Sequence, residues 1–232
     1  MRNKLRYVMA LLLAVMVGLT VAQSRQGGGG FGGTGPNQLV NSKTVLADIK
    51  ATEEQVTKLK EWAKEYQGKQ MEFFKGIKEM SKEERTEKQA ALTADAWKGI
   101  GKVLKEDQVK RLKQIELQVA GTGAYFRPDV IEALKITDDQ KGKLQESLGG
   151  MFKDVQALRE EFGLKGFGTK LEADKQEEYD KKFAKLNKEA MSAVQDVMTD
   201  DQKKKWKEMT GDPIDVPKVQ AETRPNFGKK KD

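Results

Sequence analysis

The stretch "LKITDDQKGKL", from Leu134 to Leu144, decides how this chain is read. A threonine, two aspartates and a glutamine stand directly ahead of residues whose apolar members recur at helical spacing. The string returns three times in altered form: "IKATEEQVTKL" (Ile49–Leu59), "VLKEDQVKRL" (Val103–Leu112) and "DVMTDDQKKKW" (Asp196–Trp206). Two readings compete. The acid pairs are either a repeated site for a metal ion or acid–base chemistry, or they sit in the first turn of successive helices.

The helix-start reading accounts for each position. Threonine suits the N-cap, where its oxygen accepts a free backbone N–H. Glutamine three residues later can accept from the cap's own N–H and close a capping box. Two acids in the first turn face the positive end of the helix dipole. The apolar residue just ahead, Ile136 or Met198, can staple the chain to the next turn. Thr52 with Gln55, Thr137 with Gln140, and Thr199 with Gln202 are therefore expected to be helix-capping pairs. "KEDQ" (Lys105–Gln108) puts lysine at the cap position, so Gln108 is expected in a continuation or kink of a helix. The metal reading fits less well. Adjacent acids on a helix point in different directions, and the calcium-loop spacing with its central glycine is absent.

Composition narrows the chemistry further. The 232 residues contain no cysteine and no histidine. That removes disulfides, the commonest soft metal ligands and Cys- or His-based catalytic triads. There is no Gly-x-Ser-x-Gly elbow and no phosphate-binding glycine loop. A di-iron bundle would need Glu-x-x-His. No catalytic residue, no metal ligand and no cofactor is expected, and the chain is read as not an enzyme.

The ends carry their own signals. Arg2, Lys4 and Arg6 precede a short apolar run, Tyr7–Leu19, and the small residues of Thr20–Ala22. This is the pattern of a secretory signal peptide, residues 1–22. The apolar run is shorter than the roughly 20 residues a bilayer span needs. The expectation is an exported protein, periplasmic or secreted, with no stable membrane span after cleavage. Removing three positive charges from a net +7 leaves the remainder mildly basic. The one dense basic cluster is the tail Gly228–Asp232, so nucleic acid is not an expected partner.

Between the ends the chain reads as helix. Residues 23–37 form a glycine-rich linker expected to be disordered. Residues 211–232 carry three prolines and no periodicity, and an extended basic tail is expected. Apolar residues recur at three- and four-residue steps along Val56, Leu59, Trp62, Tyr66, Phe73, Ile77 and Met80, with Gln70 in the gap. They recur again along Leu92, Ala96, Ile100 and Val103. A third stripe is Leu144, Leu148, Met151, Val155, Leu158 and Phe162, and a fourth is Tyr179, Phe183, Leu186, Ala190, Val194 and Val197. This is the signature of amphipathic helices whose stripes face a core. "SKEE" (Ser81–Glu84) is a further capping box, and "RPDV" (Arg127–Val130) opens a helix with proline in its first turn.

The order of elements repeats. Gln55 and Gln140 lie 85 positions apart, and Gln108 and Gln202 lie 94 apart. Helical unit 1 (38–120) and helical unit 2 (121–210) are expected to be duplicates that pack as one body, with the surplus residues near the glycines of 163–169. The fold class is all-α: two duplicated helical-hairpin units forming an elongated bundle or cradle.

"KATEEQVTKL", "KITDDQKGKL" and "VMTDDQKKKW" resemble the LTxxQ motif of the Spy/CpxP family of bacterial periplasmic helical proteins. In this chain Ala51, Ile136 and Met198 stand at the leucine position, and Lys105 replaces threonine in the second copy. The resemblance covers about residues 45–209. It implies a cradle of long hairpins and an envelope-stress role, either ATP-independent chaperoning or inhibition of stress signalling. It also implies that two units in one chain stand for a fused pseudo-dimer, while the oligomeric state stays open. The expected partners are other proteins or unfolded clients. The competing expectations are a carboxylate-based metal-responsive binder and a structural scaffold of the envelope.

Overall fold

Capping boxes mark the starts of three of the four longest helices among the described residues. The computed structural model describes residues 35–164 and 171–223, and the expected signal peptide and most of the glycine-rich linker lie outside them. Among the described residues all regular structure is helical. Two short helices, α1 (Pro36–Leu39) and α2 (Lys43–Asp48), lead into a hairpin of α3 (Glu53–Gly76) and α4 (Lys82–Gly101), followed by α5 (Glu106–Ala120). A 3-10 turn (Gly121–Phe126) and α6 (Pro128–Leu134) lead into a second hairpin of α7 (Asp138–Glu161) and α8 (Ala173–Val197). Two more helices follow, α9 (Asp200–Thr210) and α10 (Val216–Thr223).

Matching elements recur in the two halves. α3 and α7 are both 24 residues long and begin at equivalent positions. The connection between the helices of the second hairpin is longer than that of the first, and α8, at 25 residues, outruns α4, at 20. The surplus length therefore falls between the end of α7 and the early turns of α8, around the expected glycines. The lead-ins match as well. Lys50 and Lys135 both take left-handed backbone conformations, with φ of 52° and 51°. In each, the residue that follows donates back across the turn, Ala51 to Leu46 O at 2.9 Å and Ile136 to Ile131 O at 3.0 Å. These are Schellman-type helix ends built on lysine where glycine is usual.

Each half has its own core. Leu39, Val45, Leu59, Ile100, Leu112 and Ile115 are fully buried together in the first. Tyr125, Val130, Leu134, Leu144, Val194 and Met198 form the second. α5 is the shared wall, sending Leu112, Ile115 and Val119 into the first core and Leu117 into the second. The described residues form one compact body.

Two expectations need correction. Residues 211–232 are not extended throughout, because Val216–Thr223 is helical and buries Val219 in the first core. Pro217 stands in the first turn, where its missing N–H breaks no helical bond. The carboxylate of Glu222 accepts from the Ser42 hydroxyl and from the Thr44 N–H and hydroxyl, tying α10 to the start of α2. The Gln118 amide fastens the approach, donating to Thr210 O and Asp212 O and accepting from Ile214 N–H. The linker boundary also moves, since Pro36 and Asn37 begin α1 and the Asn37 amide donates to Gln70 on α3 at 3.0 Å.

The first hairpin closes around a small residue. A Cβ added at Gly99 would lie 2.0 Å from Trp62 Nε1, so the Trp62 ring lies against bare backbone of α4 while stacking on Tyr66. Gly99→Ala is expected to lower stability by about 1–3 kcal/mol, the usual cost of overpacking. It should also shift the emission of Trp62. Thermal melts with fluorescence detection check this, and a wild-type melt with unshifted emission would show that the two helices do not approach at Gly99.

Candidate functional site: paired glutamines and a half-covered apolar face

The motif glutamines meet in pairs. Gln55 Nε2 donates to Gln108 Oε1 at 2.7 Å, and Gln108 Nε2 returns to Gln55 Oε1 at 3.1 Å. Gln140 and Gln202 form the same closed amide pair at 2.7 and 2.9 Å. Each amide also serves its own helix start. The Oε1 atoms of Gln55, Gln108, Gln140 and Gln202 accept from the N–H of Thr52, Lys105, Thr137 and Thr199. The remaining donors reach across the base of the hairpin. Gln55 bonds Val103 O and Gln140 bonds Val197 O, while Gln108 bonds Ile49 O and Lys50 O and Gln202 bonds Leu134 O. An amide has two donors and two acceptor sites, and all four side chains use every one.

Each pair therefore stitches the start of a hairpin's first helix to the helix that follows its second. Thr52, Thr137 and Thr199 complete the boxes by accepting from the N–H of Gln55, Gln140 and Gln202. Lys105 is corrected here. It is an N-cap in extended conformation at a fresh helix start, without a side-chain cap bond. The Gln108 amide supplies its half of the box, which with the cross-hairpin bonds is enough to set the helix start.

The acid pairs do other work. Asp138 pairs with Lys141 and Asp139 with Lys143, both at 2.8 Å, so neighbouring carboxylates point to different lysines of their own helix. Glu54 pairs with Lys58 at 2.7 Å. Among the described residues no three acidic side chains converge as a metal site would require. The motif residues are architectural, and surface chemistry has to be sought elsewhere.

The hairpins themselves offer it. Two helices bury a stripe only where they face each other. Leu59, Tyr66 and Phe73 are buried in the first hairpin and Leu144, Leu148 and Leu158 in the second. Ala96, Ile100, Ala190 and Val194 are buried as well, while Ile77, Met80 and Leu92 in the first hairpin and Met151, Val155, Phe162, Tyr179, Phe183 and Leu186 in the second are only partly buried. Phe162, Tyr179 and Phe183 form a chain of ring contacts, with Lys182 Nζ 5.2 Å from the Phe162 centroid. Met71 is 54% and Phe74 60% exposed, next to the exposed Lys75 and Lys78. The sequence stripe captured Phe73 and missed Met71 and Phe74. Their three-residue spacing on a separate face of α3 was the available signal. Elsewhere Tyr66, whose hydroxyl donates to Leu92 O, has its pKa raised by burial, then by Asp95. Among the described residues no helix is long and apolar enough to cross a membrane.

Comparison with protein-family models, characterised proteins and solved structures returns no match to this chain.

Proposed function

We propose that this chain is an exported, non-enzymatic helical protein of the cell envelope that holds other proteins in a chaperone-like manner without ATP. One observation carries the reading: among the described residues Met71 and Phe74 on the first hairpin stand exposed beside Lys75 and Lys78. An exposed apolar face bordered by cations suits weak capture of unfolded chains, which offer apolar segments and carboxylates. Methionine suits such a surface because its side chain adapts to many shapes. Export rests on the signal-like residues 1–22, and the envelope-stress role on the resemblance of the capping motif to the LTxxQ family.

The test is suppression of client aggregation by the chain from Gln23 onward, with no nucleotide present. The wild type is expected to protect at modest molar excess. The double variant Met71→Ser, Phe74→Ser is expected to lose about half or more of that protection. Its melting behaviour should stay unchanged, because exposed substitutions shift stability by only about 0.5 kcal/mol. Absence of protection by the wild type at several-fold excess would refute the chaperone reading.

A further inference from the structure

A cleft of about 300 Å³ opens beside the second core, where the 3-10 turn, the end of α8 and α9 meet. Its apolar side is Tyr125, Met198 and Trp206, with the Tyr125 and Trp206 ring centroids 4.4 Å apart. Lys203 and Lys207 supply its charge. Tyr125 is only 1% exposed. Its hydroxyl has no hydrogen-bond partner among the described residues, yet no side-chain oxygen or nitrogen among them is wholly buried without one. Tyr125 lines the cleft, and its unpartnered hydroxyl is the polar group that it can offer there. Burial raises the phenol's pKa, so it remains a proton donor at neutral pH.

The duplication provides an internal control. At the positions equivalent to Tyr125, Met198, Lys203 and Trp206, the first half carries Val40, Leu104, Val109 and Leu112, all in or against its aliphatic core. The scaffold does not require polar groups there. The counterpart of Lys207 is Lys113, whose Nζ lies 5.3 Å from the Trp97 ring centroid. Lys207 has no ion-pair or ring partner among the described residues, and Lys203 has only Asp200, at 3.8 Å. Segment 214–219 sends Ile214, Val216 and Val219 to the first core, and the second core receives nothing from it.

We propose that this cleft binds a small amphiphilic carboxylate. Its flat or aliphatic body lies against Trp206 and Met198, and its carboxylate accepts from the Tyr125 hydroxyl and is neutralised by Lys203 and Lys207. The volume is at the lower end of ligand pockets, which suits one aryl or short alkyl group. The carboxylate can belong to a free acid or to the C-terminus of a polypeptide ending in an aromatic residue. The second source rests on the protein-holding function proposed above.

The experiment uses the chain from Gln23 onward, titrated with 3-phenylpropionate, its amide, and a blocked peptide ending in phenylalanine with a free or amidated C-terminus. The readout is the NMR shift of the Trp206 indole N–H. A saturable shift is expected with at least one free carboxylate, and whichever ligand gives it identifies the source. Tyr125→Phe and Lys207→Met are each expected to weaken binding roughly tenfold, the loss of one charge-assisted hydrogen bond or ion contact. Lys113→Met should change nothing. No shift with either carboxylate at millimolar concentration overturns the proposal. Equal binding of the amides, or unaltered binding by the Tyr125 and Lys207 variants with native spectra, overturns it too. Aggregation suppression is measured separately, so a cleft that fails here leaves the holding function standing or falling by its own assay.

Discussion

Replacing Gln108 with leucine is expected to destabilise the protein by about 3 kcal/mol, since a buried partner stranded without a hydrogen bond costs about 1–3 kcal/mol. Gln108 is 7% exposed and makes bonds to Ile49 O, Lys50 O, Lys105 N–H and the Gln55 amide. Leucine fills a similar volume, so the loss reports hydrogen bonding and not a cavity. For a domain of this size the melting temperature should fall by about 6–12 °C. Gln55→Leu added to Gln108→Leu should cost less than the sum of the single changes, because each single variant already strands the other amide. A Gln108→Leu loss within experimental error of zero, or strict additivity, would sink the paired-amide account.

Glutamate at the same position separates the two roles of the side chain. Gln108→Glu keeps an acceptor for Lys105 N–H but loses both donors and places a carboxylate in a buried site. Burial raises the folded pKa of such a group above its unfolded value. Its penalty is therefore largest at neutral pH and shrinks as the pH falls through the folded pKa. The stability deficit of Gln108→Glu relative to wild type should narrow on acidification, whereas that of Gln108→Leu should stay constant.

The capping boxes were legible in the sequence, but the pairing was not. A box accepts glutamate or glutamine equally well, so Thr137 and Gln140 announce a helix start and nothing about Gln202, 62 residues away. The clue was choice of residue: all four motif copies use glutamine, while the box at the hairpin tip, Ser81–Glu84, uses glutamate. At the tip the Glu84 carboxylate accepts from Ser81 N–H and Arg85 takes the nearby Met80 carbonyl, whereas at the hairpin base there are free carbonyls and a second amide for a glutamine to meet. Lys105 was misjudged for a related reason. The backbone conformation at that cap is imposed by bonds from Gln108 and across the hairpin, which local propensity does not encode.

Amphipathic period likewise located the hairpins and the buried faces of Leu59, Leu144 and Val194. It could not reveal that a two-helix arm has too few neighbours to cover its whole stripe, because coverage depends on which helices lie alongside. The C-terminal helix was hidden by composition. Pro213, Pro217 and Pro225 make the segment read as extended, and only two turns of helix separate the last two. Ile214, Val216 and Val219 are its apolar side, too short a run to show a period.

Val219→Asp is expected to release α10 and to destabilise the first core by about 3–5 kcal/mol, the range for placing an uncompensated charge where a side chain was buried. Val219 is fully buried among Leu39, Val40, Val45 and Ile115. Aspartate there has no partner to pair with, so the helix detaches and leaves that apolar surface wet. The three tryptophans make the consequence directional. Trp62 and Trp97 pack against the first core and Trp206 against the second. In a urea titration of Val219→Asp, emission from a Trp206→Phe background, which reports the first core, should change at lower denaturant than far-UV circular dichroism, giving non-coincident transitions. Truncation after Thr210 should reproduce the same pattern. In the wild type the attachment should weaken only in acid. Ser42, then Thr44, holds the Glu222 carboxyl below its ordinary 4.5. That contribution is full above the unfolded pKa and disappears as the pH falls through the lower folded value. Coincident, wild-type-like transitions in Val219→Asp would mean that α10 is dispensable to the first core.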